Sequence, residues 1–198
     1  MEGLNLYLFN LINASANTPE WLIDFARFWA IYAILLVPAL LVIGWLRRSE
    51  EQHRSMLCAL IACAMALVIN NIITALWYHP RPFVMPVGHT FIPHEPDASF
   101  PSDHMTIVMT MAISLLLMRE TRRIGVGVVL VGLFIGWSRV FLGVHFPMDM
   151  AGGVLVAFFS SLVAVSLRRF YMRPLYRLAR GIHRRVFAFF IKRGWMSH

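Results

Sequence analysis

Three short stretches of this sequence carry side chains suited to acting on a phosphoryl group. SRVFLGVHFPMD, from Ser138 to Asp149, holds Arg139, His145 and Asp149; FPSDHMT, from Phe100 to Thr106, holds Ser102 and His104; HPRPF, from His79 to Phe83, holds Arg81. Arg81 and Arg139 are permanent cations whose forked donors match phosphate oxygens. Ser102 follows a proline where a helix should start, so its hydroxyl and free backbone N–H groups can hold an anion. Asp149 stands four residues beyond His145, a spacing that lets its carboxylate reach one ring nitrogen and leaves the other as an unprotonated nucleophile. His104 comes from another segment and can give a proton to a departing oxygen. Arginines, a helix start and two histidines together describe phosphoryl transfer, where catalysis is mostly positioning and charge neutralisation. Singly, each piece has a plainer reading: an arginine snorkels at a helix end, and an aspartate caps a first turn. Three separated segments bringing such groups to one side of a membrane do not reduce to those readings.

The elements that must position them are membrane spans. The chain has 198 residues, is 59% hydrophobic and only 14% charged, and has a mean hydropathy of +0.65. Its apolar residues form long uninterrupted runs, which favours a membrane domain over a large soluble core. The expected fold is an all-α polytopic bundle of about five transmembrane helices, forming a single domain over residues 1–198. The spans are Phe28 to Leu46, Ser55 to Tyr78, Met105 to Met118, Ile124 to about Leu142, and Met150 to Leu167. The third and fourth are barely long enough to cross, and both fall short at the end carrying the polar motifs, as expected beside a watery cavity. MEGLNLYLFNLINAS lacks a basic leader and is interrupted by Asn5 and Asn10, so it reads as a short interfacial helix and not a secretory signal. Cys58 and Cys63 share one span and point in different directions, which predicts neither a disulfide nor a metal.

Charge sets the orientation. Fifteen of the eighteen basic residues fall on one side: Arg47, Arg48 and Arg54; Arg119, Arg122 and Arg123; and nine from Arg168 to Arg193, including Lys192. The positive-inside rule places these in the cytoplasm and the three motifs on the outer face. Residues 173–198 form a basic tail in which Leu175, Leu178, Ile182, Val186 and Phe189 recur at helical spacing, as in a helix lying on an anionic leaflet. The net charge of +8 is thus explained by topology, and no module for reading nucleic acid is visible.

Other polar residues take structural readings. Asn70, Asn71 and Thr74 should hydrogen-bond between helices, Asp24 and Arg27 should pair along a helix surface, and Gly152 and Gly153 should permit close packing. His89, His94, Glu95 and Asp97 read as a solvated outer loop, since their spacing fits no strong metal-ligand pattern.

The motifs resemble those of the type 2 phosphatidic acid phosphatase superfamily, whose site is shared with vanadium haloperoxidases. That family shows a lysine, six residues and Arg-Pro; then Pro-Ser-Gly-His; then Ser-Arg, five residues, His, three residues and Asp. The third motif is complete here as Ser138, Arg139, His145 and Asp149; the second reads Pro101, Ser102, Asp103, His104; the first keeps Arg81 and Pro82, with Thr74 at the lysine position. The resemblance spans roughly residues 55 to 165. It implies that His145 forms a phosphohistidine, that Asp149 orients it, that His104 is the acid and later helps activate water, and that Arg81, Ser102 and Arg139 hold the phosphate, with no cofactor or metal. His79 offers a partial substitute for the missing lysine, and Asp103 adds a negative charge beside the anion site. The SFPSDH and WSRVFLGVHFPMD wording is most similar to bacterial undecaprenyl-diphosphate phosphatases of the bacitracin-resistance type.

The expected activity is therefore hydrolysis of a polyprenyl diphosphate on the periplasmic face of a bacterial inner membrane, returning undecaprenyl phosphate to the carrier cycle of cell-wall synthesis. The nearest alternatives keep the chemistry and change the lipid, to phosphatidylglycerophosphate, phosphatidic acid or a lipid A phosphate, or transfer the group to another lipid. An anion transporter is the alternative from another class. No internal repeat supports it, and the charges cluster at one interface.

Overall fold

The computed structural model describes residues 2–46, 49–85 and 87–186. Arg47 and Arg48, and the end of the basic tail with Phe189, Lys192 and Arg193, lie outside the described residues.

Helices carry the described chain. They are α1 (Glu2–Ile12), α2 (Glu20–Ile31), α3 (Leu36–Leu46), α4 (Glu50–Leu76), α5 (Asp103–Leu116), α6 (Arg122–Phe141) and α7 (Pro147–Val186), with single 3-10 turns at Ala33–Leu35 and Arg119–Thr121. Ser49 starts α4 by accepting the Gln52 N–H on its hydroxyl, with Glu50 and Glu51 placed favourably against the helix dipole. Pro147 opens α7, where a missing N–H costs nothing.

Helix α5 is the centre of the bundle, packed against α4, α6 and α7, while α4 also packs on α7. Its Val108, Met111, Ala112 and Leu115 are fully buried. Several polar side chains inside this core bond one another: the Ser114 hydroxyl donates to Ser161 Oγ at 3.1 Å, and Ser161 donates to the Thr110 carbonyl at 3.2 Å. Outward-facing Leu60, Val68, Ile72, Leu130, Leu133, Phe158 and Phe159 stay exposed. Such a belt of large apolar side chains is what a bilayer solvates.

Four helical stretches have the length and apolarity to cross a membrane: Glu20–Leu46, Glu50–Leu76, Arg119–Phe141 and Pro147–Val186. The protein is a multi-pass membrane protein. Three boundaries differ from the sequence expectation. The first span begins at Glu20 and not Phe28, because Asp24 and Arg27 pair at 2.8 Å on the helix surface and no longer interrupt it. The third is the shorter apolar helix Asp103–Leu116. At 1.5 Å per residue it covers about 21 Å, and neighbours on three sides bury it where lipid would otherwise be needed. The fifth span and the basic segment after it form one continuous helix through Pro174.

The N-terminal helix, expected to be interfacial, packs against the rest of the bundle. Phe9 is fully buried and packs its ring on Phe146 at 5.2 Å, while Asn5 Oδ1 accepts the Met148 N–H at 3.0 Å, satisfying a free donor in the first turn of α7. Asn13 then ties the loop between α4 and α5 to the end of α6: its amide donates to the carbonyls of His89 and Phe141 at 2.9 and 3.0 Å, and its oxygen accepts the His89 N–H.

Candidate active site

All three motifs meet at one end of the bundle, around a cavity of about 340 Å³. Arg81, His104, Arg139 and His145 line it, together with His94, Asp97 and Asp103. The two imidazoles expected to share one site therefore do so.

The turn between α6 and α7 fixes His145. Gly143 has φ +78°, and a Cβ there would meet the His89 carbonyl oxygen at 2.1 Å, so only glycine fits. The next residues bury His145 to 2% exposure. Asp149 sits at the third position of α7 and is 1% exposed. Its Oδ2 accepts the Phe146 N–H at 2.8 Å and lies 3.2 Å from His145 Nδ1. The plain reading of Asp149 as a cap and the functional reading as a histidine partner thus hold together.

On the cavity side, His145 Nε2 lies 2.9 Å from Arg81 Nη1 and 3.4 Å from Arg139 Nη2. A guanidinium can only donate. Nε2 must then carry the lone pair and Nδ1 the proton, directed at Asp149. Burial first, then the charges of Arg139 and Arg81, hold the imidazole well below the ordinary histidine range. A neutral ring with its lone pair aimed into a cationic pocket has the arrangement a histidine nucleophile requires.

The arginines are themselves held. Arg81 is 4% exposed; Nη1 also donates to the Val144 carbonyl at 2.9 Å, and Nε pairs with Asp97 at 2.6 Å. Arg139 is 3% exposed and donates from Nη1 to the Ala30 carbonyl at 3.2 Å. Its Nε has no partner among the described residues, nor does the hydroxyl of fully buried Ser102. An unused buried donor is costly, and an anion in the pocket is one way to offset that of Arg139, which lines it. Ser102 does not line the cavity itself; it precedes α5 with no side-chain cap, and its N–H donates to the Asp149 carbonyl at 3.2 Å. His104 is half-buried, faces the cavity and forms no hydrogen bond among the described residues. Close packing of α7 on this loop depends on Gly152, where an added Cβ would lie 2.3 Å from the Phe100 ring.

Three residues of the loop between α4 and α5 lie at the site although the sequence reading left two of them in solvent and did not single out the third. His94 Nε2 lies 3.0 Å from Arg139 Nη2, so it accepts there and donates from Nδ1 to the Glu95 carbonyl at 3.1 Å. Asp97 pairs with Arg81. Ser99, fully buried, donates its hydroxyl to Asp149 Oδ2 and stands 3.3 Å from His145 Nδ1. The only local hint was position: all three lie between two motifs. Conversely, His79 is outside the cavity, packed edge-on against Phe146 at 5.7 Å, and so is no replacement for the lysine. Thr74 and Asn71 line the cavity and bond carbonyls of their own helix; Asn70 alone of that trio bridges helices, donating to Asp103 Oδ1 at 2.7 Å and Thr106 Oγ1 at 3.0 Å.

The chain is similar to known proteins. A family model described as the PAP2 superfamily matches residues 55–173. YbjG of Escherichia coli (strain K12) is 37% identical over 99% of this chain and 98% of its own length. The undecaprenyl-diphosphatase BcrC of Bacillus subtilis (strain 168) is 38% identical over 78% of this chain and 79% of its own. Among solved structures, Aquifex aeolicus LpxE superimposes with a TM-score of 0.68 at 26% identity, covering 82% of this chain and 95% of that one.

Proposed function

This chain belongs to the PAP2 superfamily, and from that premise we propose that it is an undecaprenyl-diphosphatase, hydrolysing undecaprenyl diphosphate to undecaprenyl phosphate and phosphate. Support comes from the name of the Bacillus subtilis relative and from one geometric observation. His145 Nε2 faces the cavity between two buried guanidinium groups, with Nδ1 backed by Asp149.

The terminal phosphate occupies the cavity with its oxygens on Arg81 and Arg139, displacing Asp97 from Arg81. Nε2 attacks the terminal phosphorus, a P–N bond forms, and the bond to the bridging oxygen breaks. Positive charge on the ring is stabilised by Asp149, which already accepts the Nδ1 proton. The departing group is undecaprenyl phosphate, and His104 is placed to protonate it. Water then attacks the phosphohistidine, His104 accepts its proton, and orthophosphate leaves with Nε2 restored. The arginines supply the charge neutralisation that a metal provides elsewhere, so a chelator is expected to leave turnover intact. The polyprenyl tail lies outside the pocket, along the exposed apolar end of α4 at Ile72, Leu76 and Trp77.

The outer, periplasmic placement of this site and the cytoplasmic placement of the basic helix follow from the distribution of arginines. Purified protein offered undecaprenyl diphosphate, phosphatidylglycerophosphate, phosphatidic acid and a lipid A phosphate in parallel tests the substrate by phosphate release. Preference for any of the last three replaces the proposed substrate. Anion flux in proteoliposomes with no phosphate release replaces the enzyme with a transporter.

A further inference from the structure

The largest cavity among those described lies away from the catalytic end. It measures about 570 Å³ and sits between the start of α4 and the middle of α7, lined by Arg54, Arg168, Arg169, Arg173 and Glu51. Twenty residues of α4 separate Arg54 from Thr74 at the catalytic pocket, about 30 Å of helix at 1.5 Å per residue, which is the thickness of the hydrocarbon layer. Along α7, Arg168 lies a similar distance beyond Pro147. The cavity is therefore level with the headgroups of the opposite leaflet.

A rule that places arginines at one interface does not require them to surround a void. Here they do, and their charges are unevenly answered. Arg54 is bonded to Glu50 and lies over the Tyr176 ring at 5.1 Å. Arg169 rests over the exposed Phe170 ring at 4.6 Å. Arg168 and Arg173 are exposed and take part in no ion pair or hydrogen bond among the described residues. Four like charges repel around this space, with one lining carboxylate, Glu51, against them. Phe170 and buried Met172 add apolar wall on the same rim. Converging guanidinium groups beside apolar surface, at headgroup depth, match a phosphate attached to acyl chains.

We propose that this cavity binds the phosphate headgroup of an anionic phospholipid in the leaflet opposite the catalytic site. The site is independent of the reaction catalysed at the other end. The test is titration of the purified full chain in neutral detergent with phosphatidylglycerol, phosphatidylcholine or inorganic phosphate, followed by native mass spectrometry. Saturable binding of phosphatidylglycerol is expected, weakened about 25-fold in Arg168→Gln/Arg173→Gln, since each arginine near an anionic surface contributes about fivefold. Arg168→Lys/Arg173→Lys should recover most of that loss, and Arg139→Ala should bind the lipid as the unmodified chain does, which separates this site from the catalytic arginines. The glutamine variant should still hydrolyse undecaprenyl diphosphate, reporting that it folds; failure of the unmodified chain to hydrolyse that substrate bears on the catalytic reading and not on this one. Equal affinity for phosphatidylglycerol with and without the two arginines overturns the proposal, as does equal binding of phosphatidylcholine. Loss of inorganic phosphate binding in the glutamine variant overturns it too, by making the cavity a site for soluble anions.

Discussion

The two ends of this bundle are both rich in arginine, and they use it differently. At the end where the three motifs meet, Arg81 and Arg139 are 4% and 3% exposed, each pinned by a backbone carbonyl and each touching His145. At the other end, Arg168 and Arg173 are exposed and are placed by helix register alone. A buried guanidinium acts in a low-dielectric pocket with its donors already aimed, so little reorganisation accompanies the reaction. An exposed one is screened and mobile, which suits holding a headgroup but not stabilising a transition state. Burial and second partners, more than charge, distinguish the cations at the motif cavity from those at the far end.

That contrast can be broken most directly at His145. His145→Ala should cut phosphate release by at least ~10³-fold, as expected for loss of a nucleophile, on diphosphate and monoester alike; retained turnover removes His145 from that role. Next, Arg139→Lys keeps the charge and loses the fork. A drop of about 10²-fold in kcat is expected if aimed donors matter, and a near-normal rate would make Arg139 an ordinary cation like those at the far end. His104→Ala should slow a phosphomonoester more than undecaprenyl diphosphate, by up to ~10²-fold, because a phosphate leaves more easily than an alkoxide. Equal losses on the two substrates argue against His104 as the acid. Ser99→Ala removes one donor from Asp149 while the Phe146 N–H remains, so kcat should fall about tenfold with KM unchanged, in line with a hydrogen bond to a charged group.

The smallest effect concerns pH. Burial is the main cause lowering His94 below its ordinary value of 6.5, with Arg81 and Arg139 adding to it and the Glu95 carbonyl and Asp97 opposing it. His145, which faces the same guanidinium groups, is lowered too. A histidine kept neutral when folded binds fewer protons than when unfolded, so its contribution is complete above pH 6.5 and is lost as pH falls below that value. Thermal stability should therefore fall from pH 7 to pH 5, and His94→Gln should make that fall shallower. An unchanged slope would place the His94 ring outside the arginine cluster.

Much of the site was legible because its chemistry is written in local spacing. His145 and Asp149 are four apart with Pro147 between them, which dictates a helix start and a carboxylate beneath an imidazole. Ser99, Asp97 and His94 could not be read that way. They lie in an irregular loop whose path is set by remote bonds, such as Asn13 to His89 and Phe141 and the Ser99 N–H to the His79 carbonyl. The misplacement of His79 has the same cause: two residues from Arg81 in sequence, it faces Phe146 and not the cavity.

The amino-acid sequence by itself determined that the chain crosses a membrane, where its basic residues cluster, and which histidines and arginines fall in the three motifs that meet at the cavity. Those properties depend on composition and on periodicities a few residues long. Only the tertiary structure decided that α5, at 14 residues, is short and is sheltered by its neighbours on three sides, that the N-terminal helix caps α7 through Asn5, and which tautomer His145 adopts. Each of these depends on contacts between residues tens of positions apart or more, whose meeting is fixed by packing and hydrogen-bond satisfaction across the whole bundle and is encoded in no single stretch of chain.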